Sequence, residues 1–373
     1  MKFAHIADLH IGKKLHEVSL LADQEEALSS VVEAVRRARP DCVLIAGDVY
    51  DHPVPGADAV SLFGRFLTEL TDSGAQVCIV GGNHDSQERL SFAGQILARQ
   101  GVHIAGPYAG TLESVDIAGA RIHLLPYVRP KEIERHFDRR FDSSEDAVAA
   151  ILARAEIDPS RVNVLVTHLF ASARGERAET CDSEINPVGG LSEVDAALFD
   201  PFAYVALGHL HAPQRVGRDR VRYSGSLMKY SFSEARHRKS FVLGEVTADG
   251  VSFALVPVRE KHGMRELRGR LSDLLKPEVV SAGDVEDYIR ATLTDEIPPV
   301  SPMERLSAAY RNVLRLELSG NAAPVEEAPE IAARAPMELF SEFFARTNGS
   351  EMTDGMTKMA ADAFDAAREG MDS

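Results

Sequence analysis

Along the first eighty residues the apolar positions switch between two periods. Lys2 to Ala7 is a short, mostly apolar run that predicts a strand, and Asp8-Leu9-His10 follows it. Over 22–38, Ala27, Leu28, Val31, Val32 and Val35 recur at the spacing of a helix face. Cys42-Val43-Leu44-Ile45-Ala46 is apolar throughout, as in a strand buried on both faces, and Gly47-Asp48 follows at once. Leu62, Phe63, Phe66, Leu67 and Leu70 mark a second helix over 57–72. Gln76 to Val80 reads as a third strand and delivers Gly81-Gly82-Asn83-His84-Asp85. Strand, helix, strand, helix, strand is the pattern of a parallel sheet covered by helices.

The pattern continues with a helix over 87–99 and short strands at 102–105, 112–117 and 121–125. A polar helical stretch covers 130–156. The strand from Arg161 to Thr167 delivers His168, and a polar loop over 171–190 follows with Glu179, Asp182, Glu184, Gly189 and Gly190. Pro201 to Leu207 delivers Gly208-His209-Leu210-His211, and hairpin-like strands follow at 214–217, 220–224, 240–247 and 251–258. The expected architecture is α/β, with two sheets face to face and helices outside, a four-layer α-β-β-α sandwich. Around 259–262 the pattern changes. Short strands and helices over 263–318 predict a small α/β domain, and the Pro- and Glu-containing stretch after it predicts a flexible linker. Two amphipathic helices are expected at 336–347 and 353–368, the first carrying Met337, Leu339, Phe340, Phe343 and Phe344. The division is thus 1–258, 259–320, a linker at 321–335 and a helical tail at 336–373.

Length and composition set bounds on this picture. A chain of 373 residues with 45% hydrophobic residues buries a large core. No apolar run approaches the roughly 20 residues that span a bilayer. Met1-Lys2-Phe3-Ala4-His5 leads straight into a strand and does not read as a signal peptide. The three cysteines have no metal-type spacing, so a reducing cytoplasm fits best. The 41 basic residues against 57 acidic ones give a net charge of −16, which counts against nucleic-acid binding. Two facts reduce its weight. Bound cations would add local positive charge. Residues 321–373 alone hold eleven acidic against four basic side chains. The basic clusters Arg129-Pro130-Lys131, Arg135 to Arg140, Arg215 to Arg222 and Arg236-His237-Arg238-Lys239 read as solvated faces.

Candidate chemistry gathers at the strand ends. Five of them deliver ligand-type residues: Asp8 and His10, Asp48, Asn83 and His84, His168, and His209 with His211. Singly each is weak. Asp48 alone reads as a turn cap, and a histidine after an apolar strand is usually structural. Five in one chain, all just past strand termini, point to a shared site. The period-two spacing of Asp8-x-His10 and His209-x-His211 puts each pair on one side of an extended segment. Carboxylate, imidazole and amide donors without thiolates suit divalent manganese, iron or zinc in a reactive site, not a structural zinc site. Asp48 is the best candidate to bridge two such ions.

In that order the motifs resemble the calcineurin-like metallophosphoesterase superfamily. They are most similar to its SbcD branch, the bacterial relatives of the Mre-eleven double-strand-break nuclease. Residues 204–211, Arg222-Tyr223-Ser224-Gly225-Ser226 and Lys229-Tyr230-Ser231-Phe232-Ser233-Glu234 also look like SbcD, as do Asp182-Ser183-Glu184 and Val188-Gly189-Gly190. The resemblance covers about 1–258, and the domain after it resembles that family's capping domain in placement and size. It implies one metal on Asp8, His10, Asp48 and His211, and a second on Asp48, Asn83, His168 and His209. His84 would approach the scissile phosphate without being a ligand. Asp85 would either orient the His84 imidazole or cap the helix over 87–99. His52 reads as a loop histidine, with substrate binding as the alternative, and His5, His16, His103, His123, His136, His237 and His262 match no motif.

What the resemblance implies about activity is a metal-dependent DNA nuclease of repair and recombination. It would act as a double-strand exonuclease and single-strand or hairpin endonuclease through two divalent ions, manganese foremost, with magnesium, iron or zinc as alternatives. The implied partners are DNA and an SbcC-like ABC-type coiled-coil ATPase, in a heterotetramer built on a homodimer. The chain lacks a Gly-x-x-x-x-Gly-Lys-Ser/Thr loop, so ATP hydrolysis would belong to that partner. The apolar tail helices suit docking on the partner, or else fold back on their own domain. The alternative substrate is a small nucleotide or a phosphoprotein.

Overall fold

The computed structural model describes residues 1–173, 178–184, 192–319, 337, 340, 341, 344 and 352–369. Residues 1–318 form one compact unit and 319–373 a second. In the first unit, one six-stranded sheet runs in the order Gly250–Pro257, Ser240–Thr247, Lys2–Ile6, Cys42–Ala46, Gln76–Val80, Val102–Ile104. The last four strands are mutually parallel, so they all end on the same edge. A second six-stranded sheet runs Gln214–Val216, Arg218–Tyr223, Tyr204–Gly208, Val162–His168, Ala120–Leu125, Glu113–Ile117. Its central strands are parallel as well, with Gly208 opposite His168.

Strand alternation shows how the layers form. Phe3 in the first strand and Ala7 just past it join the apolar core between the sheets, together with Leu44, Ala46, Val80, Val164, Val166 and Ala206. Ala4 and Ile6 point the other way, into a core closed by the helices Leu21–Ala38 and Ala57–Asp72 through Val31, Val35, Phe63 and Phe66. The outer face of the second sheet packs Leu165 and Val205 against Val148 and Ile151 of the helix Ser144–Arg154. The result is the expected four-layer α-β-β-α sandwich. His5 sits in the inter-sheet layer, where its ring nitrogens bond the Tyr204 hydroxyl at 2.9 Å and the Leu207 carbonyl at 3.1 Å.

After this sandwich, Met264–Gly269, Tyr288–Leu293 and Asn312–Leu318 form a three-stranded parallel sheet. It has its own core of Leu271, Leu274, Ile289, Leu293, Leu306 and Tyr310. Its first two strands also reach the larger core through Met264 and Tyr288. The buried Asp23 carboxylate ties it to the helix Leu21–Ala38 by accepting from the Tyr288 hydroxyl at 2.9 Å and pairing with His262 at 2.7 Å.

Some local expectations need correction. The helix expected over 87–99 is two pieces, Gln87–Leu90 and Gly94–Ala98, separated at Ala93, whose φ of +59° no helix accommodates. The stretch 130–156 is likewise broken, into Pro130–Ile133, a 3-10 turn at Glu134–His136 and Ser144–Arg154, the last capped by the Ser143 hydroxyl. In the polar loop, Phe170–Ser172 pairs in parallel with Glu193–Asp195, a contact that polar composition does not announce. Val188, Gly189 and Gly190 lie outside the described residues, as do the linker at 321–335 and Leu339 and Phe343 of the tail. In the second unit the helix Asp354–Glu369 is described, with the Phe340 and Phe364 rings 5.9 Å apart.

Candidate metal centre

The facing sheets bring five strand ends to one place. Two loops run side by side there: the Asp8 amide donates to the Gly47 carbonyl at 3.1 Å and the His10 amide to the Asp48 carbonyl at 3.0 Å. Close approach needs small residues. A Cβ on Gly82 would strike the Asp48 carboxylate, and one on Gly208 would strike the Ala46 carbonyl across the sheet interface.

The backbone does not deliver the side chains by strand alternation. Asp8, His10, Asp48 and His209 all have positive φ, at +53°, +41°, +48° and +116°. The extended reading of Asp8-x-His10 and His209-x-His211 is therefore wrong in mechanism: the chain has already left the pleat, and left-handed turns aim these groups. Each such residue costs about 1–3 kcal/mol, held in place by surrounding packing, and clustering of that kind is typical of functional sites.

Asp8, His10 and His211 present ligand atoms within 4.8 Å of one another, as do Asp8, Asp48 and His168. His10 Nε2 lies 3.2 Å from His211 Nε2 and 3.6 Å from Asp48 Oδ2. On the other side, the Asn83 side-chain oxygen lies 3.0 Å from His168 Nε2 and 3.1 Å from His209 Nδ1. His168 Nε2 is also 3.3 Å from Asp48 Oδ2. Asp48 thus stands between the two groups. Its other oxygen accepts the His84 amide at 2.9 Å. The His84 ring lies edge-on to His10, with its Nδ1 2.9 Å from the Asp51 carbonyl.

Burial sets the electrostatics. Burial pushes Asp8 up, and neighbouring Asp48 adds to this while His168 opposes it. Burial also favours neutral Asp48, but the facing His168, with His10 and His84, outweighs it and holds that carboxyl below its ordinary range. For His168, burial lowers the pKa and Asp48 more than reverses this, raising it to about 9. At His209 and His211 burial outweighs the opposing pull of Asp48 and of Glu234, respectively, and drops them to about 3 and about 4. These are neutral imidazoles with lone pairs available. Among the described residues, His209 Nε2 and His10 Nδ1 are buried without a hydrogen-bond partner. His10 Nδ1 faces Asp51 at 3.5 Å, whereas the unpartnered His209 nitrogen and the neutral imidazoles beside the buried Asp8 and Asp48 carboxylates fit divalent cations.

Behind the first group lies a layer that sequence reasoning misplaced. Lys239, read as part of a solvated basic face, is 3% exposed. Its ammonium donates to the His211 carbonyl at 2.9 Å, the Ser226 hydroxyl at 2.8 Å and Glu234 Oε2 at 2.6 Å. Arg222, from another such cluster, is buried with its guanidinium 4.1 Å from the Phe253 ring centre. Asp85 neither orients the His84 imidazole nor caps a helix. Its carboxylate accepts the amides of Gly82, Val49 and Tyr50 at 2.9, 3.0 and 2.9 Å, while Ser86 caps the helix. Burial, then Asp48, raises Asp85 to about 6. Glu184 accepts the His211 amide at 2.6 Å, and Lys13 holds Asp51 at 2.7 Å beside His10. A basic residue five positions after a glutamate, just before an apolar strand, was the one available signal for the buried pair.

Next to Asn83 opens a cleft of about 480 Å³, lined also by Tyr127, Arg129 and Arg135. No helix among the described residues is long and apolar enough to cross a membrane.

Comparison with known proteins gives these elements a lineage. Residues 1–213 match the calcineurin-like phosphoesterase family model. Residues 260–348 match the SbcD C-terminal domain model, described as the type 5 capsule protein repressor C-terminal domain. That span runs past both 320 and 335. Among solved structures, a dimetal phosphatase from Danio rerio is 14% identical, with a TM-score of 0.42 over 69% of this chain and 99% of that one. The chain belongs to the calcineurin-like phosphoesterase family, and its C-terminal match puts it in the SbcD branch of that family.

Proposed function

We propose that this chain is the nuclease subunit of an SbcCD-like DNA repair complex and hydrolyses DNA phosphodiester bonds. The observation that carries the reading is the meeting of six ligand-type side chains around Asp48, combined with an SbcD-type C-terminal match. In this reading Asp8, His10, Asp48 and His211 hold one divalent ion. Asp48, Asn83, His168 and His209 hold the other, with Asp48 shared. Manganese is the ion proposed, from the resemblance to the SbcD branch; the mixed carboxylate, imidazole and amide donors also suit iron or zinc. When bound, the pair supplies Lewis acidity and nucleophile activation for phosphodiester cleavage.

The chain's own groups supply the rest. His84 Nδ1 faces a carbonyl, which only accepts, so that nitrogen carries a proton. Any proton given to the leaving oxygen therefore comes from Nε2 and requires the doubly protonated imidazolium, because the neutral Nδ1–H ring has only a lone pair there. Arg129 and Arg135 in the adjoining cleft offer positive charge to a phosphate backbone. The domain at 259–320 would cap the catalytic sandwich, and beyond a linker at 321–335 the helices at 336–373 would dock on the ATPase partner in the cytoplasm. Two copies of this chain would form the core of that assembly.

The test is degradation of linear double- and single-stranded DNA in manganese. His84→Ala is expected to lower cleavage by at least about 100-fold while both metal ions stay bound. DNA left intact by the chain, alone and with its ATPase partner, would sink the proposal. Higher activity on a cyclic nucleotide or phosphoprotein would move the substrate to that class.

A further inference from the structure

Ser183 lies in the segment 178–184 and plays no part in the chemistry above. Its hydroxyl is 2.6 Å from Glu234 Oε1 and 2.9 Å from His211 Nδ1. Proton counting decides which way these bonds run. Glu234 is fully buried, and its Oε1 already accepts the Tyr230 amide at 3.0 Å and the Ser231 hydroxyl at 3.1 Å. Its Oε2 accepts from Lys239, whose three protons all have acceptors. Glu234 is thus an acceptor at both oxygens. The single Ser183 proton must go to it, because two bare oxygens do not sit 2.6 Å apart. Ser183 then has only lone pairs to offer His211, so Nδ1 carries the imidazole proton. Nε2 is left as a lone pair, and it faces His10 Nε2 at 3.2 Å.

We propose that Ser183 and Glu234 are positioning residues that lock His211 in its Nδ1–H tautomer, with Lys239 keeping Glu234 ionised. Carboxylates behind metal-binding histidines commonly do this directly; here a hydroxyl is interposed, because Glu234 Oε1 stands 3.6 Å from Nδ1. The same network accounts for the grouping of Cys181, His211 and Glu234, whose spacing would otherwise suit an ion. Lys239 already neutralises that carboxylate, and the Ser183 hydroxyl stands between it and the ring. His10 has a similar backing, since Asp51, paired with Lys13, lies 3.5 Å from its Nδ1.

The inference rests on the two-metal reading for its consequence, but not for its first measurement. Long-range proton–nitrogen correlation spectra of the metal-free full chain should show His211 protonated at Nδ1. Protonation at Nε2 would overturn the lock. The second measurement is calorimetric titration with manganese. Ser183→Ala removes no charge and should fold. It should weaken one of two binding events by about 10- to 100-fold, leave the other unchanged and lower the metal-free melting temperature by only a few degrees. Ser183→Thr, which restores a hydroxyl, should rescue the affinity. Two wild-type affinities in Ser183→Ala would overturn the proposal. If the native chain shows the Nδ1–H tautomer but binds no manganese, the lock stands and the metal reading is what fails.

Discussion

The two halves of the centre are held by different means. Around His10 and His211, each imidazole is backed by a carboxylate that a lysine neutralises: Asp51 with Lys13, and Glu234 with Lys239. Around Asn83, His168 and His209 the support is mostly backbone. His168 Nδ1 bonds the Ala46 carbonyl at 2.9 Å, and the His209 amide donates to Asp8. The first half is oriented by buried side-chain charge, the second by the strand ends themselves. A side-chain network is breakable by single substitutions. A backbone carbonyl is not. The second half also opens on cavities through Asn83, whereas the first is closed over by Tyr230, Ser183 and Glu184.

The largest effect belongs to the residue the halves share. Asp48→Ala should abolish binding of both manganese ions together, read by calorimetry or metal content, whereas His10→Ala and Asn83→Ala should each disturb mainly one. Two ions retained by Asp48→Ala would break the bridge and with it the division into halves. Next comes the charge network. Lys239→Met strands a buried carboxylate and should cost about 3–5 kcal/mol of unfolding free energy by denaturant titration. A loss below about 1 kcal/mol would show that Glu234 has another source of charge balance.

His5 tests what lies behind both halves, because its strand delivers Asp8 and its Nε2 meets the strand that delivers His209. Burial lowers its pKa from 6.5 to about 3, with the Leu207 hydrogen bond opposing and Arg222 adding to the fall. The folded state therefore binds fewer protons than the unfolded state between these values. Its contribution is fully present above about pH 6.5 and falls by roughly 1.4 kcal/mol per pH unit as pH drops toward 3. His5→Gln should flatten that part of the stability curve. An unchanged slope would mean that other groups carry it.

The same contrast explains what was legible in the sequence. Apolar runs and the residues just past them were enough to read the parallel sheets and the meeting of Asp8, Asp48, Asn83, His168 and His211, because parallel strands end on one edge. The left-handed turns at Asp8, His10 and His209 were not, since period-two spacing assumes the extended backbone that these residues have left. Lys239 looked solvated because a linear run of basic residues does not show that Glu234, five positions earlier, folds over it in the interior. Asp85 was misread for a related reason: its partners at Val49 and Tyr50 lie in a loop delivered by another strand. Chemistry supplied by one strand end at a time is readable; support assembled between distant segments is not.

The smallest effect sharpens this distinction at a single carboxylate. Asp51 has two basic neighbours: Lys13 at 2.7 Å, with its side chain 17% exposed, and His52 at 3.3 Å, with its side chain 76% exposed. Ion pairs in water are worth roughly 0–1 kcal/mol, and salt screens them. A partly buried lysine that fills one carboxylate oxygen also fixes which way that oxygen points, and the oxygen that Lys13 fills is the one beside His10. His52→Ala should therefore change stability by less than about 0.5 kcal/mol and leave both manganese affinities intact. Lys13→Met should weaken the His10-side ion without altering the other. Equal effects from the two substitutions would mean that net charge near Asp51 matters more than orientation, and the first half would then differ from the second only in degree.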